Sequence, residues 1–260
     1  MRDKIFFKGM ALVSVLFGFI PSCFAEDPDA FDKGNFARHY YLSLWGGSSW
    51  SYSGETDFVN LGGLTTNRYV GNTTSAVSLL AGVDLGVAWE SIAKPYFFAV
   101  GLETSYNQQN SPAGTVNPLY LINPGFDTLN YTYAVSSVPL LAIAQIGLAH
   151  RFFNPYVIAG IGMAWNMADN YNEVPTDPLL SAAPMRSMFQ PKTTYDFAYT
   201  AGLGFLVNVM TSLQLALEYR FTDYGDAYLN PTSQQSTGDT LSLGPVRSNA
   251  LLFRLTGWLN

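Results

Sequence analysis

Strict alternation of apolar and other residues constrains the fold of this chain more than any other feature. From Val77 to Trp89 the odd positions are all apolar, and the glycines between them would weaken a helix. The stretch from Leu213 to Tyr224, LQLALEYRFTDY, alternates in the same way, although some of its apolar residues are also spaced four apart. Successive side chains of a strand point to opposite faces, so both stretches predict β-strands with one apolar face.

The second stretch places two charged residues on the face opposite its apolar stripe. Glu218 and Arg220 share that face, whereas Leu215, Leu217 and Tyr219 lie on the other. In a soluble sheet the apolar stripe faces the core; in a membrane barrel it faces lipid and the charges face the lumen. This stretch alone leaves both alternatives open.

The first 25 residues have the organisation of a secretory signal peptide. Basic residues precede an apolar run from Met10 to Ile20, and small residues follow Pro21. We expect export by the Sec pathway and cleavage after Ala25. A lipoprotein signal acylated at Cys23 is the less favoured alternative, because Pro21 and Ser22 are poor residues before such a cysteine. Cleavage leaves a mature chain without cysteine.

Composition narrows the class of protein further. Removing residues 1–25 takes away Arg2, Lys4, Lys8 and Asp3, which leaves 10 basic and 18 acidic residues and a net charge of −8. Nucleic acid is therefore not an expected partner. Only 12% of residues are charged and 15% are aromatic. After the signal peptide no apolar run is long enough for a membrane helix, and this combination is typical of an outer-membrane barrel.

Eight alternating segments follow a short periplasmic leader at residues 26–37. They lie at about 38–50, 77–90, 96–106, 130–150, 155–165, 197–207, 213–224 and 251–259. The connections between them alternate in length. Long polar stretches predict extracellular loops at about 51–74, 108–129, 166–193 and 226–247, and short ones predict periplasmic turns at about 91–94, 151–154 and 209–212.

This alternation predicts that residues 38–260 form an all-β fold, an eight-stranded antiparallel up-and-down transmembrane barrel with both termini in the periplasm. A soluble barrel of the lipocalin type is the alternative. Aromatic residues at the ends of the apolar stripes favour the membrane barrel, because such residues form girdles at membrane interfaces. They are Trp89, Tyr96, Tyr106, Trp165, Tyr199 and Tyr219.

Three motifs resemble those of the OmpA-like and opacity-type outer-membrane β-barrel superfamily. They are YLSLWGG at 41–47, PYVIAGIG at 155–162 and LEYRFTD at 217–223. The resemblance covers the whole mature chain and implies a barrel in the outer membrane of a Gram-negative cell. No peptidoglycan-binding domain is expected after the barrel. The chain ends in Leu259-Asn260 where such proteins commonly have a terminal Phe.

Five charged residues are predicted to face the lumen: Asp84, Glu103, Glu218, Arg220 and Arg254. They are interpreted as a packed polar network rather than a selectivity filter, because an eight-stranded barrel has room only for its own side chains. Two cations then serve three acids, since buried charges require partners. We expect Asp84 to be the acid without an arginine, because its strand is farthest along the sequence from both.

The fourth segment departs from clean alternation. Leu141 and Ile143 point inward on its register, and Pro139 cannot donate a hydrogen bond to a neighbouring strand. A bulge or the outer boundary of the membrane is therefore expected at Pro139.

Neither catalysis nor metal binding is indicated. The two histidines, His39 and His150, are both expected at periplasmic strand ends, away from any serine nucleophile at the outer rim. They are not spaced with carboxylates as metal ligands would be. The chain is therefore expected to be no enzyme and to need no cofactor.

Function is then expected to depend on the loops, which carry aromatic residues able to anchor a partner: Phe58, Tyr120, Phe126, Tyr171 and Phe189. Two hypotheses remain open. One is a surface-exposed structural or adhesin-like barrel whose loops meet host or environmental ligands; the other is a small channel for ions or solutes. Outer-membrane lipid and lipopolysaccharide are the expected surroundings, and the barrel is expected to be a monomer.

Overall fold

The computed structural model describes residues 36–62, 65–72, 76–91, 95–118, 120–122, 129–149, 153–176, 188–233, 235 and 238–259. The predicted signal peptide, the leader up to residue 35, Phe126 and His150 lie outside these described residues. No helix in the described part of the chain is long and apolar enough to cross a membrane.

Alternation of side chains produces strands throughout the described chain. They are β1 (Phe36–Tyr52), β2 (Thr56–Gly62), β3 (Thr65–Gly71), β4 (Ala76–Ser91), β5 (Tyr96–Asn117), β6 (Leu129–Leu148), β7 (Asn154–Pro175), β8 (Phe189–Gln190), β9 (Lys192–Met210), β10 (Leu213–Pro231) and β11 (Leu241–Leu259). Eight of them are neighbours around a ring in the order β5-β4-β1-β11-β10-β9-β7-β6, and β6 pairs with β5 to close it. The predicted eight-stranded barrel is therefore confirmed.

The two ends of the barrel differ. One end holds the pair Tyr40 and Leu259 of β1 and β11 and the tight β9–β10 connection at 211–212, and we call it the terminal end. The other end carries the additional strands β2, β3 and β8, and we call it the hairpin end. There β3 continues the sheet beside β5, with Arg68 opposite Asn117 and Gly71 opposite Gly114.

The outer face of the barrel is apolar. Leu203 is 61% exposed there and lies beside Val157 of β7 and Tyr219 of β10. Other large apolar side chains on this face are Leu44, Leu79, Phe98, Leu102, Ile146, Ile161, Phe197, Leu215, Phe253 and Leu255. The predicted lipid-facing stripes are thus on the outside, and the residues between them point inward.

The barrel strands are longer than the sequence predicted. β1 begins at Phe36 rather than about Arg38, and β5, β7, β10 and β11 extend well into the stretches 108–129, 166–193 and 226–247 that were predicted as loops. Those loop boundaries were wrong. Beyond the apolar band the strands enclose a core of their own and expose polar residues outside, so the apolar stripe that marks a lipid-facing strand is lost.

The predicted long loop at 51–74 was also wrong, because it contains the β2–β3 hairpin. In this hairpin Asp57 lies opposite Tyr69 and Val59 opposite Asn67. Gly62-Gly63 between two alternating segments is a recognised hairpin signal, so the sequence did contain the information.

Pro139 causes no bulge. It pairs in register with Ala164 of β7, and the irregularity between β6 and β7 lies farther along, between Thr132 and Ala134. The Pro139 carbonyl accepts a hydrogen bond from the Thr104 hydroxyl at 2.9 Å. Of the two alternatives predicted at Pro139, the bulge was wrong and the outer boundary of the membrane stays a prediction. Leu141 and Ile143 do point inward and are buried.

Candidate functional site: the filled lumen and the hairpin-end extension

A cluster of charged side chains crosses the lumen in the middle of the barrel. We call Asp84, Glu103, Glu218, Arg220 and Arg254 the charge cluster. All five are at most 2% exposed. They come from β4, β5, β10 and β11, whose inward positions at this level converge because an eight-stranded barrel is narrow.

Arg220 bridges the full width of the barrel. Its Nη1 donates to Glu103 Oε1 at 2.6 Å, and its Nε donates to Glu218 on its own strand. Glu103 lies on β5, which stands opposite β10 in the eight-membered ring of strands. One guanidinium group therefore joins opposite walls, and its charge-assisted hydrogen bonds are the strong kind.

Arg254 holds the remaining carboxylates. Its Nη1 donates to Asp84 Oδ1 at 2.7 Å, and its Nη2 lies 3.3 Å from Glu218 Oε2 and 3.6 Å from Glu103 Oε2. The Tyr156 hydroxyl also donates to Glu218 Oε2, at 2.6 Å. The two arginines thus neutralise acids that would otherwise repel each other, since Asp84 and Glu103 are direct cross-strand neighbours.

The expectation that Asp84 would lie away from both arginines was wrong. That expectation was based on separation along the sequence, whereas closure of the barrel brings the last strand beside the first. β11 pairs with β1, and β1 neighbours β4, so only one strand separates Arg254 from Asp84.

An aromatic ring packs on the charge cluster. Trp45 is 5% exposed, and the Arg220 guanidinium carbon lies over its ring at 4.7 Å from the centroid. Gly82 faces this ring, and a Cβ atom there would lie 2.4 Å from Trp45 Cζ2. The glycine between apolar residues of β4 therefore makes room for the indole that stacks on Arg220.

Towards the hairpin end, hydroxyl and amide groups fill the lumen. Ser49 contacts Ser78 at 2.7 Å and donates to Asn107 at 3.1 Å. On the other side the Ser137 hydroxyl donates to Asn166 at 2.6 Å, and the amide of Asn166 donates to the Tyr224 carbonyl at 2.7 Å. The groups satisfy one another within the barrel, as buried polar groups must.

Beyond this polar layer the interior becomes aromatic. Tyr69, Tyr131, Tyr133, Tyr171 and Phe189 form what we call the tyrosine cluster, and all are buried. Its rings pack at centroid distances between 5.1 Å for Tyr171–Phe189 and 6.0 Å for Tyr131–Tyr133. Rings at such distances are in direct contact, so the hairpin end has a packed aromatic core of its own.

The β2–β3 hairpin covers this core. Val59 and Tyr69 are at most 1% exposed, and the side chains of Glu55, just before β2, and of Asp57 in β2 hold the start of β11. The Ser242 amide donates to Asp57 Oδ2 at 2.7 Å, and the Ser242 hydroxyl donates to Glu55. We call β2, β3, β8 and the strand ends around them the hairpin-end extension.

Two of the aromatic residues predicted to be exposed loop anchors are buried instead. Tyr171 and Phe189 belong to the tyrosine cluster and are 8% and 2% exposed. By contrast, Phe58 is 53% exposed, and its ring lies 5.4 Å from that of Tyr120. The guanidinium of Arg68 also lies over the Tyr120 ring at 5.4 Å.

Glu173 is the acidic group of the tyrosine cluster. It is 9% exposed, and the Tyr171 hydroxyl donates to it. Burial raises the pKa of the Glu173 carboxyl, and the hydrogen bond from Tyr171 opposes that change. The folded protein therefore binds the proton of the Glu173 carboxyl more tightly than the unfolded chain does.

The free energy of unfolding should consequently fall as the pH rises from the ordinary glutamate range through the raised pKa of Glu173, because the charged form is penalised only in the folded state. Urea unfolding of the protein in lipid vesicles, from mildly acidic to mildly alkaline pH, measures this slope. Glu173→Gln should flatten it and stabilise the protein at neutral pH. Glu90→Gln, at an exposed position of β4, is the matched control, and an equal change in both variants would contradict the expectation.

The described residues contain one histidine, His39, whose ring packs edge-on against Trp258 at 5.8 Å at the terminal end. Within the described ranges there is no group of three or more His, Cys, Asp or Glu side chains placed to hold a metal ion.

A closed ring of strands with an apolar outer face and a charge cluster buried in its lumen is the inverse of a soluble barrel. The protein is an eight-stranded antiparallel β-barrel of the transmembrane type. No family model matches the sequence. No curated protein matches it either.

Several solved outer-membrane barrels are similar to it. Neisserial surface protein A is 12% identical with a TM-score of 0.43, over 84% of this chain and 96% of that chain. The outer membrane protease OmpT of Escherichia coli is 9% identical with a TM-score of 0.45, over 85% and 97%. Ail, the attachment invasion locus protein of Yersinia pestis, is 9% identical with a TM-score of 0.37, over 85% and 99%.

Proposed function

We propose that this barrel is a closed, non-enzymatic surface protein that anchors the hairpin-end extension in the outer membrane and presents it to partners outside the cell. The terminal end faces the periplasm in this proposal, because the tight β9–β10 connection lies there and the large extension lies at the other end. The observation that carries the proposal is the filled lumen. Charge cluster, polar layer and tyrosine cluster follow one another along the barrel axis.

The exterior of the extension supports a role in contact with partners. Phe58, Leu121 and Ile122 are 53%, 64% and 66% exposed, and Phe58 is held by its contact with Tyr120. Exposed aromatic groups such as Phe58 are typical anchors of interfaces, and Leu121 and Ile122, which follow Tyr120 in the chain, add exposed apolar area. The ligand class expected is the host or environmental surface that an adhesin-like protein meets.

Recordings from planar bilayers test the closed lumen. The wild-type barrel should give no steady unit conductance. A variant in which residues 56–71 are replaced by a short Gly-Ser linker should also remain silent, because the charge cluster and the polar layer are still in place. A steady conductance of the wild-type protein would overturn the closed barrel and favour the alternative function, a small pore.

A second experiment tests whether the hairpin-end extension contacts partners outside the cell. It measures binding of the protein, carried in fluorescent vesicles, to host cells and extracellular matrix. Phe58→Ser combined with Leu121→Ser should reduce binding several-fold, as loss of two anchors does. Val174→Ser is the control, because Val174 is also exposed at the hairpin end but belongs to β7. Equal binding by all three proteins and by empty vesicles would exclude the adhesin-like role.

A further inference from the structure

The charge cluster contains one more acid than base. Asp84, Glu103 and Glu218 supply three negative charges when ionised, and Arg220 and Arg254 supply two positive charges, which gives a net charge of −1. All five side chains are at most 2% exposed, so neither water nor salt ions compensate the surplus charge. A buried charge without a partner is costly, and a titratable group in that position tends to become neutral instead.

The other inward residues at this level of the lumen supply no positive charge. Among the described residues, the strands beside the cluster contribute hydroxyl, aromatic and apolar groups and two glycines: Tyr41, Ser43 and Trp45 of β1, Leu141 and Ile143 of β6, Tyr156 and Ile158 of β7, Gly202 and Gly204 of β9, and Tyr224 of β10. The phenols are neutral at physiological pH. The surplus negative charge therefore belongs to the cluster as a whole.

Two oxygen atoms of the cluster have no hydrogen-bond partner among the described residues. They are Asp84 Oδ2 and Glu103 Oε2. Arg254 Nη2 lies 3.6 Å from Glu103 Oε2, beyond hydrogen-bonding distance. Asp84 and Glu103 are directly opposite each other on β4 and β5, and side chains of such a pair are within contact of each other. Two unpaired carboxylate oxygens in this position would repel, whereas a proton on one of them makes it a donor to the other.

Glu218, the third acid, has both oxygens in use. Its Oε1 accepts from Arg220 Nε, and its Oε2 accepts from the Tyr156 hydroxyl at 2.6 Å and lies 3.3 Å from Arg254 Nη2. A proton on Glu218 would displace one of these donors. Glu103 accepts from Arg220 at 2.6 Å, and Asp84 has a single bond, from Arg254 Nη1 to its Oδ1 at 2.7 Å. Asp84 is therefore the acid whose negative charge is least supported.

We propose that the charge cluster binds one proton at neutral pH, carried by Asp84 Oδ2 and donated to Glu103 Oε2. Asp84 Oδ1 continues to accept from Arg254, and the two charged acids, Glu103 and Glu218, balance the two arginines. The lumen then has no net charge at its narrowest layer of side chains. Adjacent buried carboxyl groups that share one proton are well known from other proteins. This site does not depend on adhesion or on the function of the hairpin-end extension.

Infrared spectroscopy detects such a proton directly, because the C=O stretch of a protonated carboxyl lies above the amide bands and moves to lower wavenumber in D2O. The full-length mature protein is measured at neutral pH in an alkyl phosphocholine detergent, which has no carbonyl group. All samples carry Glu173→Gln, because Glu173 is a second buried acid without an arginine partner among the described residues. The expected result is one carboxyl band, and its absence would overturn the proposal.

Labelling identifies the residue that carries the proton without altering the cluster. Aspartate labelled with 13C at its side-chain carboxyl should move the band to lower wavenumber, and the same label in glutamate should leave it in place. The band should also be missing from Asp84→Asn. A band that does not respond to labelled aspartate, or that persists unchanged in Asp84→Asn, would overturn the assignment to Asp84.

Urea unfolding in phospholipid vesicles at neutral pH provides an independent test. Asp84→Asn imitates the protonated acid, because its amide oxygen accepts from Arg254 and its amide N–H donates to Glu103. Its urea midpoint should be no lower than that of the wild type. Glu218→Gln is the matched control, since it makes the same chemical change where both oxygens accept hydrogen bonds, and its midpoint should be clearly lower. An equal loss in the two variants would show that Asp84 must be ionised and would overturn the proposal.

Discussion

Replacing Arg220 with leucine is expected to destabilise the barrel by about 3 to 5 kcal/mol, the range found when one partner of a buried ion pair is removed. Arg220 contacts Glu103 and Glu218 and stacks on Trp45. Without it, three buried carboxylates face Arg254 alone. Urea unfolding of the protein in phospholipid vesicles, followed by tryptophan fluorescence, measures the change in unfolding free energy.

Arg247→Leu is the control for this experiment. Arg247 also pairs with an aspartate, Asp223 at 2.8 Å, but its side chain is 46% exposed. Solvent-exposed pairs contribute about 0 to 1 kcal/mol, so this variant should remain close to wild type. Adding Glu103→Gln to Arg220→Leu should recover part of the loss, because it removes one of the unpaired charges. Equal stability of Arg220→Leu and the wild type would contradict the role given to the charge cluster.

Replacing Leu203 with arginine is expected to cost about 2 to 4 kcal/mol, the range for a cation on the lipid face near the bilayer midplane. Leu203 is 61% exposed on the outer face of β9, among Val157 and Tyr219 of the neighbouring strands. In water an exposed leucine-to-arginine change would have almost no effect. The experiment therefore tests whether this face meets lipid.

Ser43→Ala is the comparison on the lumen side. Ser43 hydrogen-bonds Thr256, and both residues are buried. Its removal should therefore cost about 1 kcal/mol, the net contribution of one such hydrogen bond. The same assay in vesicles compares the two variants. A cost for Leu203→Arg no greater than that of Ser43→Ala would mean that the apolar stripes do not face lipid.

The sequence by itself determined the parts of this protein that depend on local periodicity. An alternation of period two assigns each residue of a strand to one of two faces, so the eight barrel strands and their lipid-facing stripes were predictable from the residues alone. The inward direction of Asp84, Glu103, Glu218, Arg220 and Arg254 follows from the same rule. The β2–β3 hairpin could also have been predicted from the sequence, since alternating segments flank Gly62-Gly63.

Only the tertiary structure decided which of these inward residues meet. Closure of the ring brings β11 within one strand of β4 and sets β10 opposite β5, so Arg254 reaches Asp84 and Arg220 reaches Glu103 across distances that the sequence does not contain. The same holds for Tyr171 and Phe189, whose polar surroundings in sequence predicted exposed loops. Beyond the membrane, water replaces lipid outside the strands. The apolar residues there turn inward to a core assembled from several strands, which no single stretch of sequence reveals.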